Sequence, residues 1–169
     1  MLKIFNDLKT FFEDCHRRVN VREYAKMAGV SPPTASKALS SFYEHGLLLK
    51  ETYRNNLLFY ANRDSRDFVD LSRMYWRSKL NPVVEALDKR LAGPTIVLFG
   101  SMSKAEATAD SDIDLAVFAM KKEVDLSNLE KGLGRGMHIL FFGSLKDVKN
   151  RGLAENIANG YVLSGRLGL

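Results

Sequence analysis

The sequence predicts an α+β chain built in two parts with a helical connector between them. Residues 1–63 show three helical periods followed by two short β-rich runs, whereas residues 93–169 show short apolar runs set off by glycines. Charge divides the chain at the same place. Residues 1–92 hold 16 Lys and Arg against 11 Asp and Glu, while residues 93–169 hold 9 of each. The whole formal net charge of +5 therefore belongs to the front part, the side expected to meet a polyanion.

In the first helix Phe5, Leu8, Phe12 and Cys15 share a face, and in the second Val21, Tyr24, Ala25 and Ala28 do so. Asn20 with Glu23 reads as a capping box for the second helix, and Gly29-Val30 as the turn that follows it. Ser31 then caps a third helix with Pro32 at its first position. Ala35, Ala38, Leu39 and Phe42 face inward until Gly46 stops that helix, which leaves Thr34, Ser36, Lys37 and Ser41 pointing outward. Small polar residues and a lysine on such a face suit entry into a DNA major groove. Leu47–Tyr53 and Leu57–Tyr60 flank Arg54-Asn55-Asn56 and read as a hairpin, with Lys50 and Arg54 as its basic contacts. Three helices and a hairpin in this order make a winged helix-turn-helix over 1–63. The wording Ala25 to Gly29, Val30-Ser31, Thr34-Ala35-Ser36-Lys37 and Gly46-Leu47 resembles winged helix regulators of archaea and bacteria, which implies DNA as a partner. Winged helices also serve as protein-docking modules.

Residues 64–92 form the connector. It reads as helical from Ser65 to Leu91, with Phe68, Leu71 and Tyr75 on one stripe and Leu80, Val84, Leu87 and Leu91 on another. Asn81-Pro82 is expected to break or kink it. Tyr75 and Trp76 are read as packing aromatics rather than as a base-stacking site. The same helices offer a homodimer seam, as reading two half-sites would require.

In 93–169, Thr95–Phe99 is an apolar, partly β-branched strand that Gly100 ends in a tight turn open to a ligand. From Ser101 through Ala107 a helix is expected to start, its free N–H groups suited to a phosphate, with Lys104 adding a charge-assisted contact. Asp112 and Asp114 open a second apolar run, Ile113 to Phe118, and on a strand they project from one face. Two carboxylates so close raise a pKa or hold a cation, and oxygen-only ligands favour Mg²⁺, which also carries substrate phosphates. A third strand follows in Gly134–Phe142; Ser144 with Asp147 is expected to cap a helix running to about Ile157, and Tyr161-Val162-Leu163 forms a last short strand.

Gly100, Ser101, ten residues, then Asp112 and Asp114, with Glu106-Ala107-Thr108 and Ser111–Leu115 around them, resemble the nucleotidyltransferase superfamily that includes DNA polymerase beta, specifically its minimal branch. The resemblance runs from about Thr95 to the C-terminus. It implies a small mixed-sheet domain over 93–169 in which the Gly-Ser turn holds a nucleoside triphosphate. The two aspartates would bind Mg²⁺ for in-line transfer of a nucleotidyl group to a hydroxyl of a protein or nucleic-acid acceptor. The family places a third carboxylate on the next strand, and at that position this chain has His138. A neutral imidazole there weakens the metal nearest the nucleophile and favours softer ions such as Mn²⁺ or Zn²⁺. Two readings of His138 stand: a catalytic or metal-binding group, or a hydrogen-bonded strand residue. Asp125 is a substitute carboxylate, but it precedes a helical segment, which argues against it.

At 169 residues and 46% hydrophobic content the chain can bury a core in two small domains. Cys15, the only cysteine, excludes an internal disulfide framework and fits a reducing, cytoplasmic compartment, where it reads as a small core residue. No apolar stretch approaches the roughly 18–20 residues that span a bilayer, and Asn6, Asp7 and Lys9 interrupt the N-terminus, so neither a membrane nor a secretory leader is expected. Three functions follow from these readings. One is an enzyme that binds DNA and moves a nucleoside monophosphate. The second is a transcriptional regulator whose impaired transferase fold senses nucleotide, and the third is a nucleotidylating antitoxin.

Overall fold

The computed structural model describes residues 2–168 and is a mixed α+β structure. Its chain divides into two compact units, one of residues 1–75 with 105–109 and the other of residues 76–104 with 110–169.

The first unit holds helices α1 (Lys3–Glu13), α2 (Val21–Ala28) and α3 (Pro32–Glu44), then the antiparallel strands β1 (Leu48–Tyr53) and β2 (Asn56–Ala61). The start of α2 is held by a capping box: Asn20 Oδ1 accepts from the Arg22 and Glu23 N–H groups, and Glu23 Oε2 accepts from the Asn20 N–H. Ser31 caps α3 with proline in its first turn. A two-residue loop, Arg54-Asn55, joins the hairpin with φ of 45° and 62°, the mirror-image turn that matches strand twist. Phe5, Leu8, Tyr24, Ala35, Leu39, Leu48 and Phe59 are buried. Phe11, absent from the sequence-derived face, is also fully buried and stacks on Tyr24 with ring centroids 6.1 Å apart. Cys15 is buried but lies just beyond α1 rather than on it.

Helix α4 (Arg66–Arg90) is one continuous helix with Pro82 inside it, so the expected break at Asn81-Pro82 does not end it. An interior proline costs about 3 kcal/mol. Full burial of an aliphatic side chain returns about 1.5–3 kcal/mol, and Leu80, Val83 and Leu87 around the proline are buried to within 1%. Packing outweighs the lost hydrogen bond. The two apolar stripes of the connector also gain a meaning, because the helix passes from the first unit to the second between Tyr75 and Trp76.

The second unit contains β3 (Thr95–Phe99), β4 (Ile113–Phe118), α5 (Ser127–Leu133), β5 (Met137–Phe142), α6 (Arg151–Ala158) and β6 (Tyr161–Ser164). The sheet order is β5-β4-β3-β6, with β4 and β5 parallel and β3 antiparallel to both β4 and β6. Val97, Phe99 and Ala116 turn one face toward Val148 and Ile157, with Leu140, Phe142 and Leu153 packed around them. Ile96, Leu98, Leu115 and Val117 alternate to the other face and are fully buried.

Two helices differ from expectation. Ser101–Ala107 forms no α-helix, only a 3-10 turn over Met102–Lys104, because Ala105 takes φ 56° and sends the chain into the first unit. There Ala105 and Ala107 are buried, and the Ala107 carbonyl accepts the Cys15 N–H at 2.7 Å. The expected 144–157 helix is two pieces: Ser144 and Asp147 form their capping box on a 3-10 turn, Leu145–Asp147, and Asn150 caps α6 afresh.

Candidate functional site

The β3, β4 and β5 face that is apolar at its centre becomes polar where β3 ends. Asp114 pairs with Phe99 on one side and with His138 on the other, so it lies on the same face as Phe99, Ala116 and Leu140. Asp112, two residues earlier, sits just before β4 on that face. The ladder register alone brings His138 to the aspartates. Its Nδ1 lies 3.4 Å from Asp114 Oδ1 and its Nε2 lies 3.7 Å from Asp112 Oδ2, so the imidazole stands between the two carboxylates.

Two glycines make room for this arrangement. Gly100 takes φ 72°, and a Cβ there would run into Asp114 Oδ2. Gly136, which precedes β5, would place its Cβ against Asp112 Oδ1. Each carboxylate thus rests against the bare backbone of a glycine. Of the two, Gly136 was not singled out in the sequence, where it reads as part of a strand from Gly134 to Phe142; the Gly-x-Gly spacing around Arg135 was the only available signal.

Burial is the largest influence on Asp114 and raises its pKa above the ordinary carboxylate range; the Asp112 charge adds to this, and the His138 hydrogen bond and charge oppose it. A paired carboxylate held up in this way gains when a cation arrives. Two carboxylates on one face could hold one divalent ion, and the imidazole nitrogen beside them favours a softer one such as Mn²⁺. It does not supply the third carboxylate of a two-ion site. Among the described residues no group of three His, Cys, Asp or Glu side chains closes into a ready-made metal cage. A cation would therefore take the place the imidazole occupies, or accept one of its nitrogens.

The Gly100 turn is closed by the Ser103 hydroxyl, which donates to the Gly100 carbonyl at 2.9 Å. Ser101 is half-buried behind it, its carbonyl accepting the Lys104 N–H at 3.3 Å. Lys104 Nζ is exposed and reaches Asn156 Oδ1 of α6 at 2.6 Å, a partner that a phosphate would have to replace. Asp125 stays apart: it is fully exposed, accepts from the Ser127 hydroxyl and N–H, and is held below its usual pKa by those bonds.

In the first unit Thr34, Ser36, Lys37 and Ser41 all lie exposed on α3. The Thr34 hydroxyl is shared with the cap, 2.9 Å from Ser31 Oγ. Lys50 lies over the Tyr43 ring at 4.0 Å, and Arg54 at the hairpin tip lies 5.2 Å from the Tyr53 ring centroid.

Comparison with curated proteins finds no match. Comparison with protein families does. No described helix is long and apolar enough to cross a membrane. Residues 83–158, which span the last turns of α4, the Gly100-Ser101 turn, both aspartates, His138 and α6, are similar to the family described as Polymerase beta, Nucleotidyltransferase.

Proposed function

We infer that the protein binds a nucleoside triphosphate with one divalent cation at Gly100, Ser101, Asp112 and Asp114, and transfers the nucleotidyl group to a hydroxyl acceptor with release of pyrophosphate. The observation that carries this reading is the pair of aspartates on one sheet face, each seated against a glycine, beside the turn that ends β3. Mg²⁺ is the expected ion, with Mn²⁺ as the ion that best tolerates His138. When bound, it would neutralise phosphate charge and polarise the phosphorus–oxygen bond under attack. The chain's own part is positional. The backbone at Gly100 and Ser101 lets phosphate oxygens approach closely, Lys104 exchanges Asn156 for a phosphate, and Asp112 and Asp114 hold the cation. His138, beside the two aspartates, is the group assigned to take a proton from an incoming hydroxyl.

The first unit is assigned to DNA. Three helices and a hairpin in the order of a winged helix-turn-helix, an exposed α3 face of Thr34, Ser36, Lys37 and Ser41, and Lys50 and Arg54 on the hairpin support that assignment. The charge excess of the first 92 residues supports it as well.

A second reading, a nucleotide sensor whose output is DNA affinity, is favoured by one further observation. Residues 105–109 follow the Gly100-Ser101 turn after the short 3-10 turn Met102–Lys104 and pack as part of the first unit, with the Cys15 N–H on the Ala107 carbonyl. Triphosphate at the turn then has a covalent route into the first unit. Equilibrium dialysis of labelled ATP and GTP with Mg²⁺ tests the shared premise: wild type retains nucleotide and Asp112→Asn/Asp114→Asn does not. Equal retention by both would overturn the site.

A further inference from the structure

Asp112 lies one residue outside β4, so its position depends on what holds the residues on either side of it. Two consecutive residues leading into β5 do this. The Arg135 side chain donates from Nη1 to the Ser111 carbonyl at 2.7 Å, and the Gly136 carbonyl accepts the Ile113 N–H at 2.8 Å. Asp112 is thus gripped before and behind by one dipeptide. The grip has its own anchor, because the Arg135 guanidinium carbon lies 5.4 Å from the ring centroid of Trp76, a side chain of α4 that is 2% exposed. A second tie fixes the start of β5, where Glu130 Oε1 accepts the Met137 N–H at 2.9 Å.

We propose that Arg135 is a positioning residue that sets the Asp112 carboxylate for the divalent cation, with Trp76 as its platform. The inference rests on the cation-and-triphosphate reading of the site. Guanidinium chemistry explains the choice of residue: a planar cation can lie over an aromatic ring and still donate in its own plane, and an ammonium on a flexible stem cannot do both. Charge alone argues the other way. A positive group beside a cation site repels the ion, so an arginine kept there for its charge would weaken binding, and its removal would tighten it. Positioning and charge therefore predict opposite signs.

The test titrates Mn²⁺ alone into the full chain, followed by the free-ion electron spin resonance signal, with thermal melting recorded for each variant. Arg135→Lys keeps the charge and loses the planar grip, and its Mn²⁺ affinity is expected to fall by about tenfold to a hundredfold, the range for groups that orient metal ligands. Arg135→Gln removes the charge and is expected to bind more weakly too. Trp76→Phe, which keeps an aromatic platform, is expected to stay within about threefold of wild type, whereas a merely structural role would leave Mn²⁺ affinity unmoved in every variant that melts as wild type does. Wild-type affinity in Arg135→Lys, or tighter binding in Arg135→Gln, would overturn the proposal. So would unchanged Mn²⁺ binding with lost triphosphate binding in Arg135→Lys, which would make Arg135 a direct phosphate contact. If wild type itself bound no Mn²⁺, the cation reading would fail first and this inference with it.

Discussion

Gly136→Ala separates the seating of Asp112 from the stability of the sheet. The new Cβ would clash with Asp112 Oδ1, so the carboxylate must swing away. The backbone at Gly136 is not in the left-handed region, so alanine avoids that penalty there. Losing a glycine even stabilises a compatible site by about 0.4–1 kcal/mol through the unfolded chain. Gly100→Ala is the contrasting perturbation. It strikes Asp114 Oδ2 in the same way, but at φ 72° it also forces alanine into the left-handed region, at a cost of about 1–2 kcal/mol. At about 4–8 °C per kcal/mol for a domain of this size, Gly100→Ala is expected to lower the melting temperature by roughly 4–16 °C. Gly136→Ala is expected to leave it unchanged or slightly raised. Both are expected to weaken Mn²⁺ binding, by about tenfold or more, since each displaces one carboxylate of the pair. Calorimetric Mn²⁺ titration and differential scanning calorimetry on the same samples give both quantities. Wild-type Mn²⁺ affinity in a well-folded Gly136→Ala protein would refute the reasoning, because Asp112 would then not be a ligand from the position it occupies.

Burial first, and the Asp7 charge second, push the Tyr24 phenol up from 10.0 to about 12, while its hydroxyl donates to the Asp7 carbonyl. The unfolded phenol releases its proton near pH 10 and the folded one holds it to about 12, so this stability is complete below pH 10 and lost between pH 10 and 12. Urea unfolding across that window is expected to show a downward slope that Tyr24→Phe reduces. In the same unit, Lys37→Ala and Arg54→Ala are each expected to weaken binding to a mixed-sequence duplex and to lower the slope of log affinity against log salt by about 0.9, measured by fluorescence anisotropy. An unchanged slope would remove that residue from the phosphate contacts.

Much of the candidate site was legible because its logic is local. A β-branched run stopped by Gly100, and aspartates two apart before a second apolar run, announce strands, a turn and a shared face through spacing alone. His138 could be placed only through the family resemblance, and the structure pairs it with Asp114. The remainder depends on contacts distant in sequence. Ala105 is a good helix former by composition, yet it takes a left-handed turn because residues 105–109 are drawn into the first unit, a choice that no neighbouring residue signals. Pro82 reads as a helix breaker until the burial of Leu80, Val83 and Leu87 on both sides of it is known. Arg135 looks like an ordinary turn cation, and only the fold brings it to Trp76 and the Ser111 carbonyl.

Label transfer from α-labelled nucleoside triphosphates tests the central claim most directly, in Mg²⁺ and in Mn²⁺, with protein, nucleic acid and cell extract offered as acceptors. Wild type is expected to transfer label better in Mn²⁺ than in Mg²⁺, Asp112→Asn/Asp114→Asn to transfer none, and His138→Asp to improve transfer in Mg²⁺ by restoring a third carboxylate beside the pair. Transfer seen only in His138→Asp would move the protein to the sensor reading. Transfer that persists in the double Asn variant, or none from either wild type or His138→Asp, would contradict the account.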